Sequence, residues 1–381
     1  MISVVVAALS LAAWLGLAFA RGGFWRAKER LGEAPEPGAW PDIAIVIPAR
    51  NEADSIAAVI ASHQASDYPG AVVVTLVDDA STDGTATRAR AANGPRRLDI
   101  IAAPPLRPGW TGKLSALDHG IAHTRKAAPN AKYLLLTDAD IAHAPSTLRR
   151  LVAKAEAENL GLVSLMAKLD ARGISGALLI PAFVYFFQQL YPFAWSNDPR
   201  KGTAAAAGGC MLAARDALDA AGGVAAIKDR LIDDCALARL LKSSGRRIWI
   251  GLAEHEVVSL RDNRHLSSIW SMVARTAFEQ LGRSPALLSG AIIGMAIIYL
   301  APPIILAGFP WHRNALAAAL ATADIALMAL TYRPICALYG QPFWKAFLLP
   351  LAALLYMSMT LSSAVAHLRG RGGLWKGRAY P

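Results

Sequence analysis

The residues Ile2–Ala20, ISVVVAALSLAAWLGLAFA, run for 19 positions without a charge. As a helix they span roughly 28 Å, the thickness of a bilayer core, which restricts what the chain can fold into before anything else is read. A cleaved signal peptide is the competing reading, because AFA ahead of Arg21 has the small-residue form of a cleavage site. The charges favour an uncleaved anchor: no Lys or Arg precedes the stretch, while Arg21, Arg26, Lys28 and Arg30 follow it. By the positive-inside rule the chain after Arg21 then faces the cytoplasm. Near the other end, residues 286–309, 315–331 and 346–367 form three more apolar stretches, in keeping with a mean hydropathy of +0.34. Three full crossings would leave the basic tail on the outer side, against the same charge rule. Pro302-Pro303 can interrupt a helix, so the expectation is a re-entrant or interfacial first stretch, two crossings and a cytoplasmic tail.

Between the ends, residues 41–262 read as a soluble α/β domain. Short β-branched runs at 43–47, 72–77, 98–102, 133–137 and 162–166 alternate with helix-length segments that start near Asp54, near Thr85, after Gly112 and after Pro145. Strands separated by helices make βαβ units on a mostly parallel sheet, with ligands bound beyond the carboxyl ends of the strands. The loops there are PARNEADSI, DDASTDGT and DADIAHAP, and no G-x-G-x-x-G or G-x-x-x-x-G-K-[ST] follows any strand. The sheet is therefore expected to bind its ligand through carboxylates and not through a dinucleotide fingerprint or a P-loop. Helix N-caps are the plainer reading for Asp54 and Asp83. That reading fits Asp138 and Asp140 less well, because two carboxylates so close repel unless a cation lies between them.

A net charge of +11 suits nucleic acid, an anionic membrane surface or a phosphorylated substrate. The basic residues are scattered or flank apolar segments and form no aromatic-studded patch, which argues against nucleic acid. Cys210, Cys235 and Cys336 show no metal spacing and read as small structural residues, the first two in a reducing compartment. The histidines, His255 and His265 included, show no metal spacing either.

IPARNE, then VDDASTDGT, GWTGKLSALDHG and TDAD, in that order, resemble the family 2 inverting glycosyltransferases over roughly residues 41–278. With one leading anchor, the closing apolar stretches and MVARTAFEQL, the chain is most similar to the hopanoid-biosynthesis-associated branch, related more distantly to ceramide glucosyltransferases. The resemblance implies a nucleotide-sugar-binding (GT-A-like) α/β fold with helices on both faces of the sheet. It implies donor contacts from Pro48, Arg50, Asn51 and Glu52, from Asp78 or Asp79, and from Lys113 near the diphosphate. Residue chemistry agrees, since carboxylates accept from ribose hydroxyls or a uracil N3–H and a lysine opening a helix suits phosphate oxygens. A solvated surface position is the plainer reading of Lys113. Asp138 and Asp140 match the D-x-D motif that ligates a divalent cation, Mg²⁺ or Mn²⁺, with Asp140 expected to coordinate directly and Asp138 also to face the donor.

Asp234 takes the position of the catalytic base, and Asp233 stands where the family commonly has glutamate. Two adjacent carboxylates raise one another's pKa, which favours a base working near neutrality; an acidic start to the following helix is the plainer alternative. Processive members carry Q-x-x-R-W, whereas here Met272 and Thr276 replace the glutamine and tryptophan and only Arg275 remains. Single transfer is the expected consequence, with Arg275 free to meet either diphosphate or lipid headgroups.

Residues 174–195 are rich in aromatics, and Pro181, Pro192 and Gln188-Gln189 favour a membrane-surface helix over a crossing. The following GTAAAAGGCMLAAR lets backbone approach a ligand closely. The expected division is an anchor at 1–21, a linker at 22–40, a cytosolic catalytic domain at 41–262, an interfacial region at 263–285, membrane-embedded segments at 286–368 and a basic tail at 369–381. The expected activity is non-processive transfer from a nucleotide-diphosphate sugar to a lipid of the bilayer, a hopanoid or a relative, at the inner membrane. Two alternatives stand: a polyprenyl-phosphate glycosyltransferase, and a noncatalytic membrane scaffold that retains the fold.

Overall fold

The computed structural model describes residues 1–370 and Gly372, so the basic tail expected at 369–381 lies almost wholly outside the described residues. Apolar, β-branched runs buried on both faces make central parallel strands. IAIVIPA behaves so: β1 (Ile43–Ala49) is buried at every position. β2 (Val72–Asp78), β3 (Arg97–Ala102), β4 (Tyr133–Leu136), β6 (Leu162–Met166), β7 (Met211–Ala214) and β8 (Ile248–Leu252) join it in a seven-stranded sheet of order β3-β2-β1-β4-β7-β6-β8. β7 is antiparallel to both its neighbours and every other pairing is parallel. β5 (Ile141–His143) and β9 (Val257–Ser259) form a separate antiparallel pair.

All five strands expected from the sequence are present, while β7, β8 and the small pair had not been expected. MLAA carries little of the β-branched signal that marks a strand, and three-residue strands fall below any periodicity. Helices begin at Ile56, Thr85, Gly112 and Thr147, close to the expected starts. They cover the sheet on both sides in a GT-A-like arrangement. The helix Gly112–Ala127 lies very close on β1 and β2 because Gly120 has no side chain. A Cβ there would stand 2.5 Å from Val46 Cγ1 and 2.7 Å from Val77 Cγ2.

The strand order reverses between β1 and β4, since β2 and β3 lie on one side of β1 and β4 on the other. In an open α/β sheet that switch point leaves a crevice at the carboxyl ends of the strands. The loops after β1, β2 and β4 are the three polar loops singled out above.

Within the expected linker 22–40, residues 24–31 are packed against the rest of the protein. Phe24 and Leu31 are buried, Leu252 N–H donates to the Glu29 carbonyl at 2.8 Å, and Arg30 bridges to Leu252 at the sheet edge. Among the described residues five helices are long and apolar enough to cross a membrane: Ile2–Ala20, Gly173–Leu190, Pro285–Ala307, Ala315–Leu338 and Phe343–Leu368. The stretch from residue 174, expected as a surface helix, thus has the length and composition of a crossing. Tyr185, Tyr299, Tyr332 and Tyr356 pack among these helices, and Tyr356 Oη donates to the Leu179 carbonyl at 2.9 Å.

Pro302-Pro303 does not break its segment as expected. A π-helical turn, Ala296–Leu300, precedes the prolines and the helix continues as Ala301–Ala307. In an α-helix the Ile298 carbonyl would accept from residue 302, and Pro302 has no N–H to give. Trp14 Nε1 donates to that carbonyl instead, at 2.8 Å.

Candidate functional site

The first two polar loops are tied together by their own side chains. Asn51, left-handed at φ 53°, accepts from Thr82 N–H at 2.9 Å, and its own N–H donates to Ser81 Oγ at 3.0 Å. Glu52 N–H donates to Thr85 Oγ1, and Ala53 N–H to Asp83 Oδ2, both at 2.9 Å. Asp83 also accepts from Thr85 N–H at 3.1 Å; the N-cap position of the helix Thr85–Ala91 is Gly84, so Asp83 braces the turn and the neighbouring loop from one residue before the cap. Asp54 is exposed, and the helix Ile56–Gln64 starts at Ser55 without a side-chain cap, so the capping reading fails there. Arg50 donates to the Asp79 carbonyl at 2.5 Å and pairs with its carboxylate at 3.9 Å. Asp78 accepts from Ser81 N–H at 3.1 Å, closing its own turn. Pro48 is a buried residue within β1, opposite Val77.

The D-x-D loop hangs from β4. Thr137 Oγ1 donates to the Gly209 carbonyl at 2.7 Å, Ser55 Oγ to the Ala139 carbonyl at 2.9 Å, and Leu260 N–H to the Asp140 carbonyl at 2.8 Å. Behind it the His63 and His143 rings pack at a tilt of 42° with centroids 4.8 Å apart, and burial lowers both, His143 to about 4, so both are neutral supports. Burial, then Asp138 and Glu52, push the Asp140 carboxyl up to about 6, against Arg261 and Lys113. Glu52 and Asp138 thus act on the charge of Asp140 from two loops, and Arg261, beyond β9, acts against them.

Lys113 joins this group to the acidic pair. Its Nζ lies 2.8 Å from Asp138 Oδ1 and 3.0 Å from Asp233 Oδ2, and the side chain is only 20% exposed, which removes the solvated-surface reading. Burial opposes the charge, but Asp138 and Asp233 outweigh it and hold the ammonium above the usual lysine range. Asp234, in the first turn of the helix Asp233–Ser243, accepts from Gly208 N–H at 3.0 Å and Cys235 N–H at 2.7 Å. Burial first and Asp233 second push its carboxyl up to about 6, against Lys113 and those two bonds. A Cβ on Gly208 would stand 3.1 Å from Lys113 Nζ and 3.6 Å from both Asp138 Oδ2 and Asp234 Oδ2, so these three groups meet around bare backbone, with Asp233 joined to them through Lys113.

Arg275 is exposed at the end of the helix Leu266–Ala274, and among the described residues no hydrogen bond or ion pair ties it to this cluster. Gly208, Arg261 and the pair Gln280 Nε2 to Tyr191 Oη, at 2.6 Å, were not named from the sequence. The small-residue stretch carrying Gly208 had been marked for close backbone approach; nothing marked Arg261. Among the described residues no three His, Cys, Asp or Glu form a ready metal cage. Two carboxylates with the rest of the shell left to phosphate oxygens and water is nonetheless how Mg²⁺ and Mn²⁺ are commonly held beside nucleotides, so the donor set fits such an ion.

The model of glycosyl transferase family 21 matches residues 6–378. The chain belongs to that family. The resemblance had named family 2 and its hopanoid branch; the match supports the glycosyltransferase and carries neither of those finer assignments. A mannosyltransferase from Pyrobaculum calidifontis, PcManGT, solved in complex with GDP-Man and Mn²⁺, is similar in fold at TM-score 0.59 and 22% identity, over 96% of this chain and 99% of that one. The succinoglycan biosynthesis protein ExoU of Rhizobium meliloti (strain 1021) is 32% identical over 137 residues, 35% of this chain. That match spans 37% of the relative's length. This family 21 chain thus has a GT-A-like fold.

Proposed function

We propose that the protein is an integral membrane, cation-dependent inverting glycosyltransferase that moves one sugar from a nucleotide-diphosphate donor to a hydroxyl of a membrane lipid. The observation that carries this reading is the meeting of Lys113, Asp138 and Asp234 around Gly208, with Asp233 paired to Lys113, at the switch point of a sheet joined to long apolar helices. Glu52 and Asp79 accept from the nucleoside, while Asp78 braces its turn. Asp138 and Asp140 would hold the divalent cation, which would supply positive charge for the leaving diphosphate. Asp234 takes the proton from the acceptor hydroxyl; the Gly208 and Cys235 amides fix its direction, and Asp233 helps keep its proton affinity useful near neutrality. Met272 and Thr276, in place of the processive motif, support a single transfer. The charges flanking Ile2–Ala20 support a cytoplasmic catalytic domain at an inner membrane, and a hopanoid or related lipid is the first acceptor to try. The domain division is proposed as expected above, except that Gly173–Leu190 goes with the membrane part and 24–31 with the catalytic body.

The test is release of nucleoside diphosphate from a panel of UDP- and GDP-sugars, with the full chain in bilayer nanodiscs, with and without Mn²⁺ or Mg²⁺ and lipid extract. Release that needs metal and lipid and is lost in Asp140→Ala and Asp234→Asn is the expected result. No turnover with any donor, metal or lipid, together with no donor binding, would sink the reading in favour of a noncatalytic scaffold.

A further inference from the structure

Lys113 is more than a cation waiting for phosphate. Its ammonium donates to Asp138 Oδ1 at 2.8 Å, occupying one oxygen of the proposed metal pair. On its other side it stands 3.0 Å from Asp233 Oδ2, an atom otherwise buried without a hydrogen bond, so charge alone holds that contact. Backbone at Gly208 closes a third side, and the start of the helix Gly112–Ala127 fixes the stem. A divalent ion at Asp138 would have to share that carboxylate with a fixed positive charge in a site largely shielded from water. A diphosphate changes the balance, because its oxygens give the ammonium a new partner and give the cation the remaining ligands.

We infer that Lys113 is a tethered counter-cation that keeps a free divalent ion out of the Asp138–Asp140 site until a nucleotide diphosphate arrives, so that cation and donor enter together. The inference rests on the proposed function and adds to it the regulation of cation entry. It departs from a simple phosphate-binding lysine in the sign of one effect. Removing the charge tightens the binding of metal alone, whereas a lysine that only bound phosphate would leave metal alone unaffected.

The experiment titrates MnCl₂ into the full chain in nanodiscs and reads free Mn²⁺ by electron paramagnetic resonance, alone and with UDP, GDP, ADP or CDP. Wild type is expected to bind Mn²⁺ weakly alone and about tenfold or more tightly with its nucleotide. Lys113→Met is expected to bind Mn²⁺ alone about tenfold more tightly than wild type, with most of the nucleotide coupling gone. Lys113→Arg, which keeps the charge, should match wild type in metal alone, and adding Asp138→Asn to Lys113→Met should abolish the gain. Metal binding in Lys113→Met no tighter than in wild type, or a gain that survives Asp138→Asn, overturns the inference while nucleotide-dependent Mn²⁺ binding still upholds the proposed function. Wild type that binds no Mn²⁺ with any nucleotide overturns both.

Discussion

Asp234 is held by two amides and crowded by a second carboxylate, and that combination makes its ionisation measurable. The base proposed at Asp234 must be deprotonated to act, and burial with Asp233 pushes this carboxyl up to about 6. The rate therefore falls as pH drops through about 6, close to tenfold per unit below it, because the protonated form cannot accept the acceptor's proton. A kcat/KM profile flat from pH 5 to 8 would remove Asp234 from the base role. Asp234→Asn should lower kcat by about 10²- to 10⁴-fold and abolish that acid limb. Gly208→Ala is a sharper probe of geometry. The added methyl would press on Lys113 Nζ at 3.1 Å, and displacing that ammonium should cost about tenfold or more in kcat/KM. The thermal midpoint should hardly move; an unchanged rate would show that the three groups need not meet around bare backbone.

Strand and loop signals carried most of the sheet in the sequence, because β1, β2, β4 and β6 are mostly apolar on both faces and the first three end at conspicuous polar loops. β7 was illegible for the opposite reason, its four residues being small and unbranched or flexible. Asp138, Asp140, Asp233 and Asp234 stood out as paired acids, whereas Arg261 and Gly208 matter only through the meeting of segments far apart in the chain. The double proline misled because the Ile298 carbonyl it leaves free is taken by Trp14, 284 residues from that carbonyl, and no local pattern reports such a contact. Trp14→Phe keeps the apolar bulk and removes the donor. It should destabilise the helical bundle by about 1–2 kcal/mol, read as a lower midpoint in detergent unfolding, with the soluble face of the protein unaffected. No change in midpoint would mean that the Ile298 carbonyl finds another donor.

At the scale of the molecule, the catalytic sheet and the apolar helices cannot be separated by cutting at residues 41 and 262. Gly173–Leu190 lies between β6 and β7 in the chain, and it packs on Ala315–Leu338 and on the helix Leu349–Leu368. The fragment 41–262 should therefore sediment with membranes or require detergent. A monodisperse fragment in plain buffer would show that this helix needs no lipid. The hydrogen bond from Trp14 to Ile298 also has a meaning in time. The ribosome makes about 5–20 residues per second, so the 284 residues between donor and acceptor take roughly 15–60 s to synthesise. For that interval the first helix is in place with its indole N–H unclaimed, and the bundle closes only when the second half of the chain has emerged.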